Sequence, residues 1–293
     1  MYRKLLFNAI RPVNQPAHKE KTMRQHFRTM TNEEYHRAEG VSKSGLDLIN
    51  RSPAHFRYSA TREPTRSMTL GTATHAAILE PELYASQYIA LPEGVDRRSS
   101  VYKEAIKERG EDSILTRGEA DRIDGMTASV RSNLHASAIL SAGYAEQSIF
   151  ATDPETGVIV RIRPDWISAG LACLDLKTAA DASDDGFAKS VANYRYHVQQ
   201  AFYTDVFKWA TGDKFSDFGF LVVESDLPHS STIIRLPDDV VAYGRKLYRR
   251  NLNTYAECLN RDEWPGIPQA PHVIGMPGWF VNEMESEMEV SYE

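Results

Sequence analysis

R-I-R-P-D-W-I-S-A-G-L-A-C-L-D-L-K-T, residues Arg161 to Thr178, is the stretch whose reading decides the fold. Apolar residues alternate with polar ones at period two, the pattern of half-buried strands, around a turn at Ser168-Ala169-Gly170. On the first strand Arg161, Arg163 and Asp165 share a face, with Val160, Ile162 and Trp166 on the other. On the second, Cys173, Asp175 and Lys177 share a face, with Ala172, Leu174 and Leu176 opposite. With residues 169 to 171 as the loop, Asp165 and Asp175 lie across from each other, side chains about 5 Å apart. Two carboxylates, a lysine and two arginines on one face are a costly arrangement for folding alone. They suit a divalent cation and a phosphate.

Asp165, Asp175 and Lys177 form a D-x(9)-D-x-K pattern. Hard carboxylate oxygens hold Mg²⁺ or Mn²⁺, which keeps waters and takes further ligands from a phosphate. The backbone carbonyl of Leu176 lies between the two functional side chains and is a candidate to complete the shell. Lys177 falls about 6–7 Å further along the same face. An ammonium there orients an attacking water and offsets charge on a phosphorane-like transition state. A salt-bridged surface hairpin produces the same string, so the pattern alone leaves both readings open.

The chain of 293 residues, 42% apolar, suffices for one large domain or two ordinary ones. There is no apolar run of about 18 residues and nothing resembling a signal peptide, so neither a membrane span nor export is expected. The cysteines are Cys173 and Cys258, too few for a disulfide framework or a four-cysteine zinc or iron–sulfur site. A reduced, cytoplasmic setting is the expectation. Net charge is −6, yet residues 1 to 30 carry Arg3, Lys4, Arg11, Lys19, Lys21, Arg24 and Arg28 against Glu20. Local patches therefore decide more than the net sign.

In chain order, residues 1–30 read as a basic, flexible arm, either a disordered terminus or a segment that contacts DNA or another subunit. A globular domain follows over 31–265, and 266–293 reads as a mobile acidic tail containing Pro and Gly. Ser42 or Ser44 caps a helix with Leu46, Ile49 and Phe56 as its apolar stripe. Ser42, Lys43 and Ser44 at that N-terminus form either a capped packing helix or a phosphate site. Met68 to Glu80 is a helix of small residues, in which Gly71, Thr72, Ala73 and Ala76 allow close approach. His75 in its middle is either a satisfied core histidine or a ligand. Residues 95 to 140 read as an accessory helical layer, with Arg117 to Leu140 helical. Glu146 to Ala151 is a strand, and a turn at 153–157 leads to the opening hairpin, which makes a three-stranded antiparallel meander. Asp181 to Val191 and Asn193 to Ala210 are helices, and Gln199 and Tyr203 share a face of the second. Strands at Phe218 to Val223 and Thr232 to Arg235 precede a long helix from Leu236 to Cys258. The order predicts an α/β or α+β layered domain with a mixed sheet.

Four ordered motifs resemble the PD-(D/E)XK nucleases: G-x-x-x-H at Gly71 to His75, R-P-D at 163–165, D-L-K-T at 175–178 and Q-x-x-x-Y at Gln199 to Tyr203. The stretches V-S-K-S-G-L-D-L-I-N-R-S-P-A-H-F, L-G-T-A-T-H-A-A-I-L-E-P and Y-H-V-Q-Q-A-F-Y-T-D are similar to the RecE (exonuclease VIII) branch of the RecB-type exonucleases. The similarity spans about Thr31 to Leu259. It implies an α/β PD-(D/E)XK fold, a central mixed β-sheet flanked by helices. It also implies an Mg²⁺-dependent 5′-to-3′ exodeoxyribonuclease, with Mn²⁺ able to substitute, acting on linear double-stranded DNA. Products would be 5′ mononucleotides and a 3′ single-stranded tail for recombination.

Carried over, the resemblance makes His75, Asp165 and Asp175 metal ligands, with the Leu176 carbonyl, and Lys177 the catalytic lysine. Glu146 is the candidate for a further upstream acid. Gln199 and Tyr203 would line the site and contact the DNA backbone. Arg161 and Arg163 would hold that backbone, or balance the aspartates. The resemblance further suggests a ring-forming homo-oligomer, a RecT-like single-strand annealing protein as partner, and a phage or prophage origin. Two alternatives stay open: an endonuclease of the same fold, and a non-catalytic scaffold that binds DNA ends.

Overall fold

Ala172–Ala179, the strand that carries Asp175 and Lys177, occupies the middle of a five-stranded sheet. The computed structural model describes residues 26–60 and 64–290. The first half of the described chain is α1 (Asn32–Arg37), α2 (Lys43–Arg51), α3 (Pro53–Arg57), α4 (Arg66–Leu79), α5 (Pro81–Gln87), β1 (Ile89–Ala90), α6 (Ser100–Arg109), β2 (Ile114–Leu115), α7 (Arg117–Ser132) and α8 (Leu134–Leu140). Next come β3 (Gly143–Ala145), β4 (Ile149–Thr152), β5 (Ile159–Ile162), β6 (Trp166–Ser168) and β7 (Ala172–Ala179). The chain closes with α9 (Asp184–Tyr194), α10 (Tyr196–Thr211), β8 (Asp217–Glu224), β9 (Ser231–Ile234), α11 (Asp238–Arg261) and α12 (Gly278–Val290).

The sheet order is β3-β6-β7-β8-β9, with β7 and β8 parallel and the other neighbouring pairs antiparallel. The sheet is therefore mixed, as the sequence predicts. Phe220, Leu221, Val222 and Val223 of β8 are all fully buried. A continuous apolar run is what a strand covered on both faces requires. On one side Leu174, Leu176, Leu221 and Val223 pack against Ala73 and Ala77 of α4 and Ile123 and Met126 of α7. On the other, Cys173, Phe218, Phe220 and Val222 meet Phe187 and Val191 of α9. A third cluster joins Val198, Phe202, Val206 and Phe207 of α10 to Tyr248 and Leu252 of α11, Leu46 and Ile49 of α2, and β4–β5. Burying each such aromatic contributes about 1.5–3 kcal/mol. Helices α10 and α11 come so close that a Cβ on Gly244 would lie 2.2 Å from the His197 carbonyl oxygen.

The expected meander is corrected at Arg163-Pro164. Strand β5 ends at Ile162 and pairs with β4, whereas β6 starts at Trp166 and pairs with β3 and β7. Proline has no N–H for a ladder, so the chain leaves one sheet there and enters the other. The second half of the hairpin holds its register, Trp166 opposite Leu174 and Ile167 opposite Cys173, closed by a turn with Leu171 at φ 64°.

Other boundaries differ too. The basic arm expected over 1–30 lies outside the described residues up to position 25. From there the chain is seated on the fold: Phe27 packs on the core, and Arg28 exchanges backbone bonds of 3.0 Å with Ser148. Asn133 divides the helix expected over 117–140, its side chain capping α8. Arg195, left-handed at φ 58°, separates α9 from α10. The close approach of α4 rests on Ala73 and Ala77, because Gly71 faces open space. Within the expected tail, Gly278–Val290 forms α12. No helix among the described residues is long and apolar enough to cross a membrane.

Candidate active site

Beyond Leu174, β7 keeps its partner β8 but has lost β6, so residues 175–179 present one open edge. Asp165, just before β6, fills the start of that gap: its Oδ2 accepts the Leu176 N–H at 2.7 Å. In an extended strand the N–H and C=O of one residue point to the same edge, so the Leu176 carbonyl also faces this opening.

Three elements converge here. His75 comes from the middle of α4, and its Nδ1 lies 3.6 Å from Asp165 Oδ2 and 3.8 Å from Glu146 Oε1. Glu146 sits between β3 and β4 in the left-handed region at φ 49°, a conformation costly for a residue with a Cβ. Its backbone N–H donates to the Asp165 carbonyl at 3.0 Å, and Arg163 Nε holds its Oε2 at 3.0 Å. One ligand atom from each of His75, Glu146 and Asp165 lies within 4.8 Å of the others. Among the described residues this is the group of histidine and acidic side chains with metal-ligand spacing.

Asp175 follows Leu174 on β7, so the hairpin register carries it opposite Asp165, yet it is outside the group of three. Its carboxylate is 1% exposed and is held by Lys177 Nζ on Oδ2 and by Gln199 Nε2 on Oδ1 at 2.5 Å. Lys177 Nζ also lies 4.7 Å from the centre of the Tyr196 ring.

Electrostatics follow from this crowding. Burial lowers the His75 pKa, and the Asp165 and Glu146 carboxylates more than reverse that, so the imidazole ends above its ordinary value. Burial raises Asp165, against the pull of His75. Asp175 is pushed up to about 6 by burial, opposed by Lys177 and reinforced by Asp165. Burial works to lower Lys177, but Asp175 and Asp165 hold its ammonium above the usual lysine range.

The remaining expected site residues take other positions. Gln199 is buried, and Tyr203 turns inward with its hydroxyl 3.5 Å from the Arg163 carbonyl oxygen. Both pack beside the site, Gln199 on Asp175 and Tyr203 on the Arg163 carbonyl. Arg161 leaves the aspartate face where the strand breaks: its guanidinium donates to the Ala38 and His36 carbonyls. Arg163 is spent on Glu146 and on the Met30 carbonyl at 3.0 Å. Both guanidiniums lie over the Tyr35 ring, at 5.1 and 5.5 Å. Ser42 caps α2 through the Gly45 N–H at 3.3 Å, and its hydroxyl is 2.9 Å from that of Ser44. Lys43 reaches Asp47 and the Tyr194 carbonyl, each at 2.7 Å. Tyr35 and Tyr196 were not legible as site residues. The available signal for Tyr196 was its place three residues before Gln199, hence on the same helix face.

An open strand edge at a parallel pair, acids from three segments and a lysine two residues along the strand define a PD-(D/E)XK-type centre in an α/β fold. The chain belongs to the family described as PDDEXK-like domain of unknown function (DUF3799), which matches residues 42–270. Together with the fold, that puts it in the PD-(D/E)XK nuclease superfamily. Among solved structures, it is similar to a candidate exonuclease from Eubacterium rectale. That match has 16% identity and a TM-score of 0.58, over 85% of this chain and 96% of the other. A phage-related exonuclease from Haemophilus somnus 129PT matches at 12% identity and a TM-score of 0.28, over 61% and 93% of the two chains. No curated protein matches.

Proposed function

We propose that this chain is a metal-dependent exodeoxyribonuclease acting on linear double-stranded DNA. The observation that carries the reading is the approach of His75, Glu146 and Asp165 to within 4.8 Å beside the Asp175–Lys177 pair. Two hard carboxylates with an imidazole fit Mg²⁺ or Mn²⁺. A divalent ion held by these three side chains would polarise a phosphate oxygen and neutralise charge there. Lys177, kept protonated by Asp175, orients the attacking water and balances charge on the phosphoryl oxygens. Arg163 and Gln199 act through the carboxylates they hold, fixing Glu146 and Asp175 in place.

The motif similarity to the RecE branch supports the finer reading. Digestion then runs 5′ to 3′, releases 5′ mononucleotides and leaves a 3′ tail for strand annealing in recombination. A ring-shaped homo-oligomer, a RecT-like annealing partner and a phage or prophage source belong to the same reading. The shared fold with the Eubacterium rectale candidate exonuclease agrees with the class. Incubation of linear duplex and covalently closed circles, with and without Mg²⁺, tests it. The expected result is mononucleotides from linear DNA alone, only with metal. Cutting of the closed circle would replace this reading with an endonuclease. Tight duplex binding without cleavage in Mg²⁺ or Mn²⁺ would replace it with a scaffold.

A further inference from the structure

An aromatic stack runs from the catalytic lysine to the surface. Lys177 Nζ sits over Tyr196, whose ring is backed by Phe187 at 5.7 Å and Phe220 at 5.6 Å. Tyr194 stacks on Tyr196 at 5.6 Å with an interplanar angle of 26°, yet is 62% exposed. The left-handed Arg195 between them turns the chain so that residues 194 and 196, in different helices, present their rings together. A single exposed tyrosine is ordinary. This one is the outer end of a rigid stack whose inner end touches the reactive lysine. Lys43 grips the Tyr194 carbonyl at 2.7 Å and lies within electrostatic reach of Lys177 and Arg195. Lys43 and Arg195 share the Asp47 carboxylate, at 2.7 and 2.9 Å, so the rim beside the ring carries two cations against one anion.

We propose that Tyr194, supported by Tyr196, is a stacking platform for a nucleobase of the DNA strand whose phosphate enters at Lys177. Every base offers a π face, so the platform reads no sequence. It orders the strand end, while the net positive charge of the Lys43–Asp47–Arg195 group at its rim favours the adjacent phosphate. This inference rests on the nuclease reading above.

The test uses linear duplex with 2-aminopurine as the terminal nucleotide of one strand or the other, bound in Ca²⁺ in place of Mg²⁺. Wild-type protein should quench the probe on one strand. Tyr194→Leu should lose the quenching and bind about tenfold more weakly, and Tyr194→Trp should retain both. On DNA with an abasic terminal nucleotide, wild type and Tyr194→Leu should bind alike. Undiminished quenching by Tyr194→Leu, or a penalty that persists in full on abasic ends, overturns the platform. Cleavage of the unmodified duplex in Mg²⁺ by wild type keeps the two readings apart. If it cleaves while Tyr194→Leu changes nothing, only the platform falls; if it neither binds nor cleaves, both fall.

Discussion

Asp165 Oδ2 accepts the backbone N–H of Leu176 at 2.7 Å, taking the place that the departed β6 strand would have filled. One oxygen thus both seals the open edge of β7 and faces His75 at 3.6 Å. Asp165→Asn keeps an acceptor for Leu176 but removes the charge. We expect the variant to stay folded, with its denaturation midpoint shifted by less than about 1 kcal/mol in stability. Mn²⁺ affinity, followed by electron paramagnetic resonance, should fall at least about tenfold.

Arg163 touches no proposed ligand atom except through Glu146. Replacing it by Gln should leave the fold intact and weaken Mn²⁺ binding by about 10–100-fold, as loss of an outer partner of a ligand does. Titration calorimetry checks this; unchanged affinity would mean that the left-handed backbone alone places Glu146.

Gln199→Leu removes the donor to Asp175 Oδ1 in a buried setting. An unpaired buried acceptor costs about 1–3 kcal/mol. Urea denaturation should show that loss. Tyr203→Phe, whose hydroxyl makes only a 3.5 Å contact, should cost less.

A pH dependence comes from outside the site. Glu119 caps α7 by accepting the Thr116 N–H and is clasped by Arg66 of α4. Burial works to raise its pKa, but Arg66, the Thr116 N–H and Arg97 outweigh it and hold the carboxyl down to about 2, from 4.5. A carboxylate depressed on folding adds stability above its unfolded pKa and loses it as pH falls through the folded one. The melting temperature should therefore drop between pH 4.5 and 2, and by less in Glu119→Gln. An identical drop in both proteins would show that the clasp contributes nothing to acid stability.

Much of this was legible from side-chain period. The alternation Cys173-Leu174-Asp175-Leu176-Lys177 places both functional side chains on one face, and the structure has that strand at the centre of the sheet. The small residues Gly71, Thr72, Ala73 and Ala76 marked α4 as tightly packed, and the contact falls on Ala73 and Ala77. Periodicity could not show that the chain changes sheets at Pro164, because Arg161-Ile162-Arg163 alternates as well as any strand. Nor did it separate Asp175 from Asp165. Both face the same way, and only the reach of Lys177 and Gln199 decides which carboxylate is already engaged. The break between α9 and α10 was expected near residue 192 and falls at Arg195, because arginine in the left-handed region carries no composition signal.

The most direct measurement is digestion of a linear duplex labelled at either its 5′ or its 3′ end, with and without Mg²⁺, by wild-type protein and by Lys177→Ala. Wild-type protein should release the 5′ label as mononucleotide only in the presence of Mg²⁺. In Lys177→Ala that release should fall at least about a thousandfold, with an unchanged circular dichroism spectrum. Equal release by the two proteins, or release that does not need the metal, would contradict this.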